Sequence, residues 1–171
     1  MNLVVRAVLA LSLALMASAG QAAAPSPAHL KAVQDLLGVM QVEKVLLGVA
    51  SRSRYQSQAQ RQAVFDKLGK TPPDEVVRRL APSLTQAISF DTAIEMTRFY
   101  NSPYGKQVIY RKYNNRGGII MPGMREVVPP EEKKERKRPA YVQASKELAV
   151  AEPVIEHEAF KLLQQIDKEK R

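Results

Sequence analysis

The sequence predicts an all-α fold, a single compact bundle of about six or seven helices after an N-terminal signal peptide. Three observations carry that expectation. Apolar residues recur at helical spacing along most of the chain, and no stretch alternates convincingly as a strand would. Serine–proline, double-proline and acid-led starts punctuate the chain where helices would begin. Cysteine and tryptophan are both absent, so stability must come from packing, without a disulfide framework or a thiolate site.

The elements follow in order. Asn2 and Arg6 lie in a short polar, positive start, Ala7 to Met16 is mostly apolar but too short to span a bilayer, and small residues fill Ala17 to Ala24. This is the pattern of an export signal over residues 1–22. Cleavage after Ala19 or Ala22 satisfies the small-x-small rule, and Ala22 is favoured because it keeps Pro25 clear of the cut. A short flexible leader, Ala23 to Pro27, precedes one helical domain over residues 23–171.

Ser26 and Pro27 cap and open a first helix with the stripe Leu30, Val33, Leu36, Leu37 and Met40, which Gly38 should end or weaken. Val42, Val45, Leu46, Val49 and Ala50 continue as a second. Polar Ser51 to Gln62 is open between helix and loop, and Phe65 and Leu68 close that segment. Thr71-Pro72-Pro73-Asp74-Glu75 reads as a strong helix start, with Thr71 as the cap and acids in the first turn. Val76, Val77 and Leu80 form its apolar face. Pro82 should kink it or restart it at Ser83, with Leu84, Ala87 and Ile88 extending the face.

Ser89 and Asp91 open the next helix, whose apolar positions are Phe90, Ala93, Ile94, Thr97 and Tyr100. Ser102 then offers a cap oxygen, Pro103 suits the first helical position, and Gly105 lets another backbone come close. These three residues form the expected structural corner. Tyr104, Val108, Ile109 and Tyr113 face inward beyond it. Gly117 to Gly123 reads as a loop folded back on the bundle, covering Ile119, Ile120 and Met121.

Pro129 and Pro130 open a charged helix, in which Glu132 pairs with Arg136 and Glu131 with Lys134 on a solvated face. Pro139 should kink this helix. The next apolar positions are Tyr141, Leu148, Ala149 and Val150. Pro153 should begin a last helix carrying Ile155, Ala159, Leu162, Leu163 and Ile166. In outline, 129–145 echoes 89–102, which suggests a helical-hairpin repeat at an offset of about forty residues.

The corner also carries a resemblance. A helix ending in Phe99-Tyr100, then Asn101-Ser102-Pro103-Tyr104-Gly105-Lys106 opening the next, resembles the signature of the bacterial domain of unknown function 2059 family. The likeness covers a core of about residues 30–108, with divergent C-terminal helices over 129–168. It departs from the family's pattern after Tyr113, where Gly117-Gly118 and Pro122-Gly123 interrupt a region expected to be helical. The resemblance implies an exported helical domain without an assigned activity, and it brings no catalytic residues.

The search for chemistry finds little. Only His29 and His157 are present. Glu156 and Glu158 flank His157 but point away from it on a helix, and it lies almost opposite the Ile155–Ile166 stripe, as a surface residue would. No nucleophile motif or phosphate loop accompanies either histidine. No catalytic residue, metal site or cofactor is expected.

The strongest pointer is charge. The chain carries a net +9. From Arg98 to Arg125 it holds Arg98, Lys106, Arg111, Lys112, Arg116 and Arg125 without one acid, interleaved with Tyr100, Tyr104, Tyr110 and Tyr113. Arg98, Lys106, Arg111, Lys112 and Arg116 are therefore the candidate anion-binding residues, for a cell-wall glycan, lipopolysaccharide phosphates or extracellular nucleic acid. Against a shared face, Arg111 lies about 140° round the helix from Lys106, while Lys112 and Arg116 are neighbours one turn apart. The competing reading, which the sequence favours, is that the tyrosines face the core and the charges merely solubilise. The leading expectation is a non-enzymatic interaction module, periplasmic or secreted, binding an envelope protein or an anionic polymer. The alternatives are a hydrolase or other enzyme with a site built across the bundle, and a small-ligand carrier with an apolar cavity.

Overall fold

The structure, a computed structural model, describes residues 25–114 and 129–169. The expected signal over 1–22, the loop at Gly117 to Gly123 and Arg116 lie outside the described residues. The architecture is all-α. Among the described residues there are eight helices and no strand: α1 Pro27–Val39, α2 Val42–Arg52, α3 Gln58–Lys70, α4 Pro73–Leu84, α5 Phe90–Asn101, α6 Pro103–Asn114, α7 Pro130–Glu135 and α8 Pro139–Lys168. None is long and apolar enough to cross a membrane.

Local chemistry sets most boundaries. Ser26 caps α1 by accepting from the His29 N–H at 3.1 Å, and Pro27 follows at the first position. Ser57 accepts from the Gln60 N–H at 3.1 Å and Ser89 from the Thr92 N–H at 3.2 Å, opening α3 and α5. Gly38 stays inside α1, which ends one residue later. The turn into α2 places Gln41 at φ 54°, the one non-glycine residue in the left-handed region among those described.

One buried cluster runs through α1–α6 and α8. Helix α1 lies on α4 and α5, and α8 runs across α2, α3, α4 and α5. The side chains shut away from water include Leu36, Leu37, Leu46, Leu80, Leu84, Ile88, Phe99 and Ile166. Phe99 sits beside Tyr141 of α8 with ring centroids 4.7 Å apart, and beside Tyr100 and Tyr104.

Several expectations are corrected. Thr71 does not cap α4; it is buried and donates its hydroxyl back to the Lys67 carbonyl at 2.9 Å, so α4 starts on Pro72–Pro73. Pro82 lies within α4, which ends two residues later, and no helix restarts at Ser83. Pro139 occupies the first position of α8. Pro153 does not begin a helix, because α8 continues through it for 30 residues. Its ring is exposed, while Leu148, Ala151, Ile155 and Ala159 on either side are all buried along one stripe. Proline removes one helical hydrogen bond, whereas a break would interrupt that stripe. Ala149 and Val150 are exposed.

In α5 the inward face is Thr92, Ala93, Met96 and Phe99, leaving Phe90 44% and Ile94 51% exposed. The helix is turned from the expected stripe because Phe99, rather than Tyr100, is the aromatic that fits beneath α8. The suggested repeat is not reproduced. Residues 90–101 form one helix, whereas 130–145 hold a six-residue helix, a turn and the start of α8.

Candidate functional site

The corner is built from its own backbone. Ser102 Oγ accepts from the Gly105 N–H at 3.0 Å and Pro103 opens α6 directly after it. A Cβ on Gly105 would stand 2.0 Å from the Phe99 carbonyl oxygen, 2.6 Å from Tyr100 Cα and 2.7 Å from the Phe99 carbonyl carbon. The close approach that glycine permits is therefore made by the end of α5, folded sharply onto α6. The fold keeps Tyr104 buried beside Phe99.

Helix α7 comes back over this corner, although it lies some thirty residues further along the chain. Glu132, expected on a solvated face, is only 4% exposed. Arg136 Nε donates to its Oε1 at 2.7 Å, and the same guanidinium donates to the Tyr104 hydroxyl while lying 5.0 Å from that ring's centre. Desolvation of Glu132 is offset by this partner, which explains how a carboxylate sits under the chain here. Beside it a second cluster forms. Arg98 donates to Glu95 at 2.8 Å and to Glu135, and Arg138 donates to Glu95 at 2.8 Å and to Glu135. These bonds tie α5, α7 and the start of α8 together.

Between them opens a pocket of about 430 Å³. Phe99, Pro103, Tyr104 and Pro129 give it apolar walls, and Arg98, Glu131, Glu132 and Glu135 give it charge. Glu131 is exposed and forms no ion pair within the described residues. Among the described residues, no three His, Cys, Asp or Glu side chains come together in a way that suits a metal ion.

The candidate anion-binding residues are dispersed. Arg98 is held by Glu95 and Glu135, and Lys112 Nζ donates to Glu152 of α8 at 2.9 Å. Arg111 donates to Gln107 at 3.3 Å. Lys106 is exposed and lines a separate cavity of about 270 Å³ with Gln41 and Asn101. The acid-free span thus meets acids from other segments, a pairing that local sequence does not reveal. Of the four interleaved tyrosines only Tyr110, 66% exposed, projects outward. Burial, with the neighbouring Tyr141 and Glu152, pushes the Tyr100 hydroxyl up to about 12. Burial, with Glu43 and other anionic neighbours, does the same for Tyr113, whose hydroxyl donates to the Met40 carbonyl at 2.8 Å.

The histidines sit apart. His157 is exposed. His29 donates from Nε2 to the Ile88 carbonyl at 2.8 Å and meets the Phe90 ring edge-on. The Glu132–Arg136 pair forms as the spacing predicts, but its burial and its Tyr104 neighbour were not legible, because an i, i+4 Glu–Arg pair looks the same whether solvated or covered. No family model, no curated protein and no solved structure matches this chain.

Proposed function

We propose that the chain is an exported, non-enzymatic binding module of the bacterial cell envelope, taking a ligand or partner at the pocket over the α5–α6 corner. The observation that carries this reading is the pocket, about 430 Å³, with four apolar walls and an unpaired carboxylate, Glu131, at its edge. Sites of this size, mostly apolar with a few polar groups, are what small ligands or anchoring side chains use. Export is supported by the Asn2–Arg6 start, the Ala7 to Met16 run and the small residues after it. The resemblance of the corner to the domain of unknown function 2059 family agrees with both. The pairing of Arg98 and Lys112 with glutamates weighs against a broad polyanion surface.

A second reading, an enzyme, draws on the three glutamates of the same pocket. It is weaker because Glu132 is committed to Arg136, and Glu135 to Arg98 and Arg138. One experiment addresses both. A ¹⁵N-labelled chain screened against small apolar and amine-bearing fragments should show shifts confined to Phe99, Tyr104, Gln107 and Glu131. No shifts from any fragment would overturn the binding reading. Turnover of ester, glycoside or phosphoester substrates, lost in Glu131→Gln, would establish the enzyme.

A further inference from the structure

On the other flank of the Glu95–Arg98–Glu135–Arg138 cluster, a groove of about 510 Å³ runs between α5 and α8. Phe90 and Ile94, one helical turn apart, form one wall and are the aromatic and aliphatic side chains that helical spacing alone would bury. Ala140 and Ala144, also one turn apart, form the other, and their small side chains let a visitor come close to α8. The helices are antiparallel here, since Ser89 meets Glu147 and Glu95 meets Arg138. From Ser89 to Glu95 the groove extends about 9 Å, room for two anchoring side chains a helical turn apart.

Asp91, Glu95 and Glu147 line it; Glu95 is held by Arg98 and Arg138, so Asp91 and Glu147 carry its free charge. Asp91 is exposed and has no ion-pair partner among the described residues. Burial pushes the Glu147 carboxyl up, but the Ser89 N–H at 2.6 Å and hydroxyl at 3.0 Å outweigh it and hold the carboxyl below its usual range. On a chain of net charge +9, the two carboxylates without a basic partner among the described residues, Asp91 and Glu147, make this edge a place that favours cations.

We propose that this groove docks a helical segment of a partner protein that presents two apolar side chains one turn apart, with lysine or arginine beside them. The apolar pair seats between Phe90–Ile94 and Ala140–Ala144, and the basic groups face Asp91 and Glu147. This site is separate from the corner pocket and stands whether or not that pocket binds a ligand. An anionic lipid surface or an acidic helix meets repulsion here.

The test uses two synthetic amphipathic helical peptides, one of leucine and lysine and one of leucine and glutamate, titrated into the ¹⁵N-labelled chain at low salt. The leucine–lysine peptide should shift the amides of Phe90, Ile94, Ala140 and Ala144, and the leucine–glutamate peptide should not. Ile94→Lys and Ala140→Phe, both at exposed positions, should each weaken binding at least tenfold with unchanged circular dichroism. Asp91→Asn should weaken it several-fold at low salt and little at high salt. Absence of binding, equal binding of both peptides, or shifts mapping elsewhere would overturn the proposal. So would a dimer of the free chain that Ile94→Lys dissolves, because the occupant would then be a second copy.

Discussion

Replacing Gly105 by alanine tests the corner by the sign of the effect alone. In an ordinary solvated helix, glycine to alanine stabilises by about 0.5–1 kcal/mol, through helix propensity and a less flexible unfolded chain. At position 105 the new methyl would lie 2.0 Å from the Phe99 oxygen and 2.6 Å from Tyr100 Cα, against about 3.5–4.0 Å for comfortable contact. Both neighbours are backbone, so no side chain can swing aside. The start of α6 must move by about 1 Å, stretching the 3.0 Å bond from the Gly105 N–H to Ser102 and loosening Tyr104 from Phe99. Overfilling costs about 1–3 kcal/mol, and a weakened cap up to about 1 more. After the propensity gain is deducted, the net loss lies between about 0 and 3.5 kcal/mol, centred near 2. At about 2–4 °C per kcal/mol for a chain of this size, the midpoint should fall by about 4–8 °C at that centre. Urea unfolding followed at 222 nm reads the free energy directly. Gly38→Ala in α1 is the control, since a methyl there meets nothing within 4 Å, and it should stabilise. If Gly105→Ala behaves like Gly38→Ala, the close approach does not exist and the argument for the corner fails.

Other expectations are simpler. Ser102→Ala should cost about 1 kcal/mol in the same assay. Pro153→Ala should stabilise by about 1–3 kcal/mol, because it restores a hydrogen bond within the continuous α8; a loss would mean that the proline is a needed break. Glu132→Ala should destabilise by about 1–3 kcal/mol, as it strips Arg136 of its carboxylate, whereas Glu131→Ala should be nearly silent. Glu147 has a depressed pKa in the folded state, so its stabilisation is present above the usual value of 4.5 and lost as pH falls through the lower folded value. The stability difference between wild type and Glu147→Gln should therefore be flat above pH 5 and shrink in acid. Tyr100 and Tyr113 are raised to about 12, so the unfolded chain ionises first, and stability should fall between about pH 10 and 12, with their phenolate absorbance at 295 nm appearing late.

Helix starts were legible because the chemistry of a cap is local. Ser26, Ser89 and Ser102 each precede a proline, an acid or a glycine that narrows the choice, and each caps as the sequence suggests. The orientation of α5 was not legible. Phe90, Ala93, Ile94 and Tyr100 make as good a stripe as Ala93, Met96 and Phe99, and only the position of α1 and α8 decides between them. Pro153 misled for a related reason: its local cost is visible in sequence, but the buried stripe that overrides it belongs to tertiary packing. The same holds for charge. Arg98 finds Glu135 37 positions on and Lys112 finds Glu152 40 positions on, so an acid-free span of sequence is not an acid-free surface. Of the candidate site, the corner was visible as a motif, while the pocket and the groove depend on where α7 and α8 return.

Helix α8 is about 45 Å long and is the element on which α2, α3, α4 and α5 all converge. A chain stopped short of residue 139 would leave their inner faces wet, with Phe99 missing its Tyr141 neighbour. Helix α1 can meet α4 and α5 without it, but the core is closed only once the last segment is in place. Shortening the chain from that end should therefore cost the fold as a whole rather than one helix, because α8 is the surface that four other helices share.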